Sequence, residues 1–374
     1  MANSCKIVET SVEYASIADA IAALTEGQTI QMLTDYAVVA DTNFDKTCTL
    51  DLAGKKVTAR LGSNPGRLNV TGGTFTLKDS VGEGSISVAE TETSSNTCLF
   101  TLVNDAKMVM EGGILNTDSK NVNPSYGWLG CVFAADNSSF EMSGGTMNGG
   151  YYCITSNGSL STGTSIKISG GTLTGGCGVV ATNGSEVTIK GGHLTALGTA
   201  STGEFSGGDG TAGIPNAVVA AWGRYDVAPT TITEGNFTAQ GDANCVMISD
   251  WSETEVDITG GTFKAEGASS EIVVKKDQST GTKATSTVAI SGGSYNKAVA
   301  EEYMAEGFEM KDDGSGNFTP TEKEDPDVDP DDPVVDPEKP VDLTKKASSR
   351  DILIFNSITM PPYNYENKDW RRKV

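Results

Sequence analysis

Between positions 68 and 296 apolar and polar residues alternate in short runs, and most runs are cut by a pair of glycines or a near-equivalent. Four such segments are Asn69-Val70-Thr71-Gly72-Gly73-Thr74-Phe75, Val109-Met110-Glu111-Gly112-Gly113-Ile114-Leu115, Glu141-Met142-Ser143-Gly144-Gly145-Thr146-Met147 and Lys167-Ile168-Ser169-Gly170-Gly171-Thr172-Leu173. Four more are Thr188-Ile189-Lys190-Gly191-Gly192-His193-Leu194, Ile232-Thr233-Glu234-Gly235-Asn236-Phe237, Asp257-Ile258-Thr259-Gly260-Gly261-Thr262-Phe263 and Ala289-Ile290-Ser291-Gly292-Gly293-Ser294-Tyr295. Alternation of period two predicts short strands with one buried face. The glycines predict sharp corners between them, because a residue without Cβ adopts positive φ at no steric cost. Measured at the first position of each pair, the segments are 40, 32, 26, 21, 43, 26 and 32 residues apart. These distances fit coils of about 21 to 26 residues, some interrupted by loops or followed by a coil without the signature, which is the mark of a solenoid with insertions.

A second periodicity runs beside the first. Strands beginning at or near cysteine follow several corners, as in Cys98-Leu99-Phe100-Thr101, Cys131-Val132-Phe133-Ala134, Cys153-Ile154-Thr155-Ser156, Cys177-Gly178-Val179-Val180 and Cys245-Val246-Met247-Ile248. Asn104, Asn137, Asn157, Asn183 and Asp250 stand where these strands end, and Asn or Asp tolerates the left-handed turn conformation. With coils stacked at about 4.8 Å, ten to twelve of them predict a body on the order of 50–60 Å long. Composition narrows the core. The chain has 44 glycines, 7% aromatic residues and 37% hydrophobic residues, below the roughly 45–50% apolar content of an average globular chain, so the interior must be thin and built from small and β-branched side chains.

These repeats resemble the right-handed parallel β-helix of the pectin-lyase-like fold, in the glycine-pair form found in surface proteins of gut bacteria and in fibres and appendages of tailed phages. The resemblance covers residues 26–318 and implies an all-β chain, a single-stranded right-handed parallel β-helix. Residues 1–25 read as an N-terminal cap, with a short amphipathic helix in Tyr14 to Leu24, Ser16 as its N-cap and Asp19 at the third helical position. Thr29 to Leu33 and Thr49 to Leu52 begin the coils. A helical turn over Glu301 to Gly307 and a hairpin from Phe308 to Phe318 around Asp312 to Gly316 are expected to close the other end, because an uncovered strand edge templates aggregation.

Charge removes one class of partner. A formal charge of −22 opposes nucleic-acid binding, which needs a basic face to release phosphate counterions. The sequence opens without a basic and apolar leader and contains no run of about 18 apolar residues, which predicts neither Sec export nor a membrane span. Such a protein is made in a cytoplasm and leaves it by lysis or inside a larger particle.

Candidate chemistry is sparse, and neither a cofactor nor a metal is implied. The seven cysteines are odd in number, contain no Cys-x-x-Cys pair and follow the coil repeat, so they read as free thiols in the core and favour folding in a reducing compartment. His193, the one histidine, stands where Thr172 and Thr262 stand in other corners, a structural position. Schemes that rely on a histidine base fall with it. A polysaccharide lyase or hydrolase needs paired carboxylates or aspartate-held calcium beside a basic residue; Arg224 with Asp226, Asp250, Glu253, Glu255 and Asp257 is the one region with those ingredients. Solvated acids on an acidic surface explain the same residues. The aromatic residues Tyr126, Trp128, Tyr151, Tyr152, Trp222, Tyr225 and Trp251 lie in or beside segments that break the repeat. Tyr126, Trp128, Tyr151, Trp222, Tyr225 and Trp251 are the candidate sugar-stacking platform, and covering the ends of the apolar core is the competing role. The glycine-rich stretch 198–213 is not a phosphate cradle, since no Gly-Lys-Ser/Thr follows it.

Beyond the repeats the composition changes twice. Residues 319–342 form an acidic linker: from Glu322 to Asp342 ten acids face two lysines, and prolines stand at 326, 330, 333, 337 and 340, enforcing an extended spacer of roughly 65 Å. Residues 343–374 are net basic and carry Ile352, Leu353, Ile354, Phe355, Tyr363, Tyr365 and Trp370. Too short for a core of their own, they read as a docking peptide; a disordered tail or one folded back on the body is the alternative. Repeat body, spacer and docking peptide have the layout of an appendage. The resulting expectation is a virion structural protein of a tailed phage (head fibre, capsid decoration or tail appendage), without enzymatic activity, located on the virion and docked on virion proteins through 343–374. It presents its β-helix to host-surface or mucosal carbohydrate, with a homotrimer implied by the resemblance and no nucleic-acid or membrane partner. A bacterial surface adhesin lacking its signal and a polysaccharide depolymerase are the two alternatives.

Overall fold

A computed structural model describes residues 3–324, apart from 61–65, 90–97, 118–129, 157–161, 200–215, 223–228, 250–253 and 277–285. The chain divides into two units, Met1–Lys323 and Glu324–Val374. The docking-peptide residues therefore lie outside the described part.

The first unit is all-β and β-helix-like: a 22-stranded and a 9-stranded sheet, both built almost wholly of parallel pairings. Each coil contributes one strand to each of three ladders. The first ladder runs from Thr29–Met32 through Cys48–Asp51, Thr74–Lys78 and Lys107–Met110 onward to Thr287–Ile290. The second runs from Tyr36–Ala37 through Lys56–Ala59, Ser85–Val88 and Ile114–Asn116 to Ser294–Tyr295. The third, the 9-stranded sheet, runs from Thr42–Phe44 to Val273–Lys276. The first two merge into one sheet because Glu186–Ala196 and Thr230–Ala239 continue through the corner without a break. Nine steps of about 4.8 Å along the first ladder give a stack on the order of 43 Å.

The registers explain the alternation. Ile30, Leu50, Leu77, Met110, Met142, Ile168, Ile189, Ile232, Ile258 and Ile290 form one inward column of the first ladder, each paired with the next, and all are buried. In the second ladder, Leu115, Met147, Leu173, Leu194, Phe237, Phe263 and Tyr295 form the matching column. Phe237, Phe263 and Tyr295 stack, with centroids 4.5 and 5.0 Å apart and planes within 10°. In the third ladder Tyr152–Thr155 is buried at every residue, whereas Thr42–Phe44 and Leu68–Val70 keep Asn43 and Asn69 on the outward side.

The glycine pairs do not all mark the same corner. Gly112-Gly113 and the pairs after it turn the chain from the first ladder to the second, and Gly113, Gly145 and Gly171 accept the amides of Thr146, Thr172 and His193 in the next coil at 2.9–3.0 Å. Gly72-Gly73 instead turns from the third ladder to the first, with Gly73 accepting from Lys107 at 2.9 Å. In later coils that place is held by Asn104-Asp105 and Asp136-Asn137, all four at φ between 51° and 59°. A left-handed turn accepts Gly-Gly or an Asn/Asp pair equally, so the dipeptide marks a corner without saying which one. Two expected turn residues, Asn157 and Asp250, lie outside the described residues. Asn183 ends a strand, and Gly184, at φ 86°, makes the turn beside it.

Both ends carry antiparallel strands. The helix Ile17–Ala23 starts at Ser16, whose Oγ accepts the Asp19 amide at 3.0 Å and donates to the Asp19 carboxylate at 2.7 Å. It buries Ile17, Ala20 and Ile21, and Lys46 Nζ donates to the terminal carbonyls of Ile21 and Leu24 at 3.2 Å. Cys5–Ile7, which the repeat pattern does not foretell, pairs antiparallel with both Val12–Tyr14 and the first rung Thr29–Met32. At the far end Phe308–Asp312 and Phe318–Glu322 form a hairpin that joins the last rung through Tyr295 opposite Phe318. Its second strand continues four residues past the expected boundary at 318.

Candidate functional site

The structure divides the sequence-derived candidates. Tyr151 is 1% exposed, which removes it from any sugar-binding platform. Gly149 and Gly150 carry the chain straight from the second ladder to the third here, so the side chain that follows enters the core beside Tyr152, with ring centroids 6.0 Å apart. Burial raises the pKa of both phenols. Tyr126, Trp128, Tyr225 and Trp251 lie outside the described residues. Trp222 ends the strand Ala217–Trp222.

Of the carboxylate region, Arg224, Asp226, Asp250 and Glu253 are outside the described residues. Glu255 and Asp257 are exposed on one strand of the first ladder, opposite Thr287 and Ala289. Among the described residues no group of three or more His, Cys, Asp or Glu is placed to hold a metal ion. His193 is exposed, in register with Thr172 and Asn236, and its Nδ1 is 3.3 Å from Asn236 Nδ2. Its place is that of any other corner residue.

The seven cysteines are buried thiols that form no disulfide. Cys131 Sγ donates to the Asn148 carbonyl at 3.5 Å, and Cys153 Sγ to the Thr174 carbonyl at 3.3 Å, one coil further on. Only Cys131 and Cys153 stand in register: Cys98 pairs with Gly130, Ile154 opposite Val180 sets Cys153 apart from Cys177, and Ala217 opposite Asn244 puts Cys245 beside Val218. Desolvation pushes the thiols up, to about 11 at Cys5 and Cys98 and about 12 at Cys48, Cys153 and Cys245. Raised this far, these five thiols are protonated at neutral pH.

The feature that does stand out is a surface. The second ladder presents two unbroken outward rows. One is Lys56, Ser85, Ile114, Thr146, Thr172, His193, Asn236, Thr262 and Ser294. The other is Thr58, Ser87, Asn116, Asn148, Thr174, Thr195, Thr238 and Lys264. All are exposed or half-buried. Neither row contains a carboxylate, in a chain with 49 acids and 27 bases. The outward face of the first ladder is built differently. There Glu141 sits between Lys107 at 2.7 Å and Lys167 at 3.9 Å, and Glu186, Glu255 and Asp257 follow along the stack. The signal was present in the sequence: the residues on either side of the apolar position after each glycine pair are Thr, Ser or Asn in most repeats. It becomes meaningful only when the register lines them up.

No protein-family model matches this chain, and neither a curated protein nor a solved structure matches it.

Proposed function

We propose that this protein is a structural, non-catalytic component of a tailed-phage particle: a head fibre, capsid decoration or tail appendage. It is built on a single-stranded right-handed parallel β-helix and held through residues 343–374. The observation that carries the reading is the state of the cysteines, all seven buried as thiols and none in a disulfide. A core so rich in thiols has to close in a reducing compartment. Once closed, burial shields all seven from oxidants and desolvation raises the pKa of Cys5, Cys48, Cys98, Cys131, Cys153 and Cys245, so the folded body tolerates oxidising surroundings. A protein made in a host cytoplasm and then displayed on an assembled particle meets both conditions in turn.

The layout of the sequence supports attachment at the far end. Ile352, Leu353, Ile354, Phe355, Tyr363, Tyr365 and Trp370 follow the acidic proline spacer. At about 1.5–3 kcal/mol for each fully buried large side chain, docking four of them gives micromolar or tighter binding after ordering costs. Mass spectrometry of purified particles tests the assignment, and absence of the chain from the virions of its phage overturns it. Co-sedimentation of a chain ending at Pro340 tests the anchor. Loss of particle binding with an unchanged melting temperature is expected, whereas undiminished binding places the attachment elsewhere.

A further inference from the structure

We propose that the corner between the third and first ladders encloses a short file of ordered water, bound by the hydroxyls of Thr182, Thr230 and Thr254. The inference lies beyond the functional reading above and does not depend on it.

Burial comes first. Thr182 and Thr230 are 1% exposed and Thr254 is 0% exposed, and none of their Oγ1 atoms has a hydrogen-bond partner within the protein. A hydroxyl kept dry in such a place loses its hydration without compensation, so buried polar groups are nearly always paired, with protein or with water. Earlier coils of the same corner solve the problem with protein groups. Ser138 Oγ accepts the Ala135 amide at 3.0 Å and donates to the Leu102 carbonyl at 3.2 Å. Ser185 Oγ meets Ser156 Oγ at 2.6 Å and also Thr164 Oγ1.

Register explains the change along the stack. Thr155 pairs with Ala181, so Ser156 and Thr182 occupy successive rungs, and Thr182 is followed by Ala221 and then by Ile248. Across the corner Val187, Thr230 and Val256 pair in turn, with Thr254 two residues before Val256. The first ladder therefore goes on supplying buried hydroxyls after the third-ladder column has changed from hydroxyl to alkyl. Their former protein partners have no counterpart in these rungs.

Size and charge select the occupant. Groups one rung apart are about 4.8 Å apart along the stack, a gap that one water spans with two bonds of about 2.8 Å. Thr182 and Thr254 are two rungs apart, so the file holds on the order of two waters. The turn also lengthens in that direction: only Asn183 and Gly184 separate Thr182 from Ser185, whereas residues 249–253 separate Ile248 from Thr254. Among the described residues no carboxylate or ammonium group is buried with these hydroxyls to draw an ion. A hydroxyl both donates and accepts, as water does.

The test is oxygen-17 magnetic relaxation dispersion of water in solutions of the full chain, which counts long-lived internal waters and is blind to exchanging hydroxyl protons. Thr230→Val with Thr254→Val keeps the β-branched shape and removes both hydroxyls, and the dispersion amplitude is expected to fall by the equivalent of at least one water. The pair Thr76→Val and Thr188→Val, on the outward side of the first ladder, is expected to leave the amplitude as in the parent. Should the first variant fold poorly, Thr182→Val alone gives the same reading. An unchanged amplitude in a folded corner variant means that the hydroxyls are buried dry and overturns the proposal; a raised melting temperature would accompany it, because valine then removes an uncompensated polar group. Equal losses in the corner and outward variants overturn it as well.

Discussion

Replacing Gly145 by alanine separates two costs that a glycine corner hides. Gly145 sits at φ 86°, and a Cβ built there lies 2.7 Å from the Gly113 carbonyl oxygen and 2.7 Å from Met110 Cε. The methionine end can swing away. The carbonyl cannot, because it already accepts the Thr146 amide at 2.9 Å. A left-handed alanine costs about 1–2 kcal/mol, and weakening one inter-coil hydrogen bond adds about 1 kcal/mol, so Gly145→Ala should destabilise by about 2–3 kcal/mol. Gly27 is the control: its φ is 84°, but nothing lies within 4 Å of its added Cβ. Gly27→Ala should therefore cost only the dihedral term, about 1–2 kcal/mol. Urea denaturation of both variants reads the difference, and hydrogen exchange at the Thr146 amide locates it. Equal destabilisation by the two substitutions would refute the assignment of the extra cost to the stacked carbonyl.

Three further outcomes follow from the packing. Phe263→Ala empties the centre of the Phe237, Phe263 and Tyr295 stack and should cost about 3–5 kcal/mol. Because coils couple to their neighbours, proteolysis should open the C-terminal coils first. Asp51 is 3% exposed; burial opposes its ionisation, but the Ser80 and Ala53 amides at 2.9 and 3.0 Å and Gln31 Nε2 at 3.1 Å outweigh it and lower the pKa. The ionised Asp51 therefore adds stability that is complete above the ordinary aspartate range near 4 and is lost as pH falls through its lower folded value. Asp51→Asn should flatten that acid limb in melts between pH 5 and 3, and an unchanged limb would assign it to other acids. A thiol reagent such as Ellman's should find no reactive cysteine in the native chain and seven in urea; rapid reaction of even one thiol in the native chain would contradict the burial.

Much of this was readable from the sequence, for a definite reason. Period-two alternation and left-handed corners are local requirements, so the strands around Gly113, Gly145, Gly171 and Gly261 and the turn at Asn104 declare themselves without knowledge of the rest of the chain. Register is not local. Gly72-Gly73 looks like the later pairs yet turns a different corner, and only the inter-coil hydrogen bond from Lys107 reveals it. Tyr151 is misread for a related cause: it follows a corner so short that the chain leaves no room outside the core. The strand Cys5–Ile7 has no repeat to announce it, since it exists to pair with Thr29–Met32. The acid-free face is spread over many repeats, one or two residues at a time, and emerges only when the columns are assembled.

The antiparallel strands at the two ends decide how the body's length is fixed. A parallel stack can in principle be continued by the next copy of itself, rung upon rung. Here the first rung of the first ladder already gives its free edge to Cys5–Ile7, which runs the opposite way, and the last rung of the second ladder meets Phe318 in the same reversed sense. An identical molecule arriving at either of those edges finds the hydrogen bonds taken and the strand direction wrong. At these edges the number of rungs is set within one chain and not by stacking of copies. At those two edges a further copy cannot add a rung in the parallel sense.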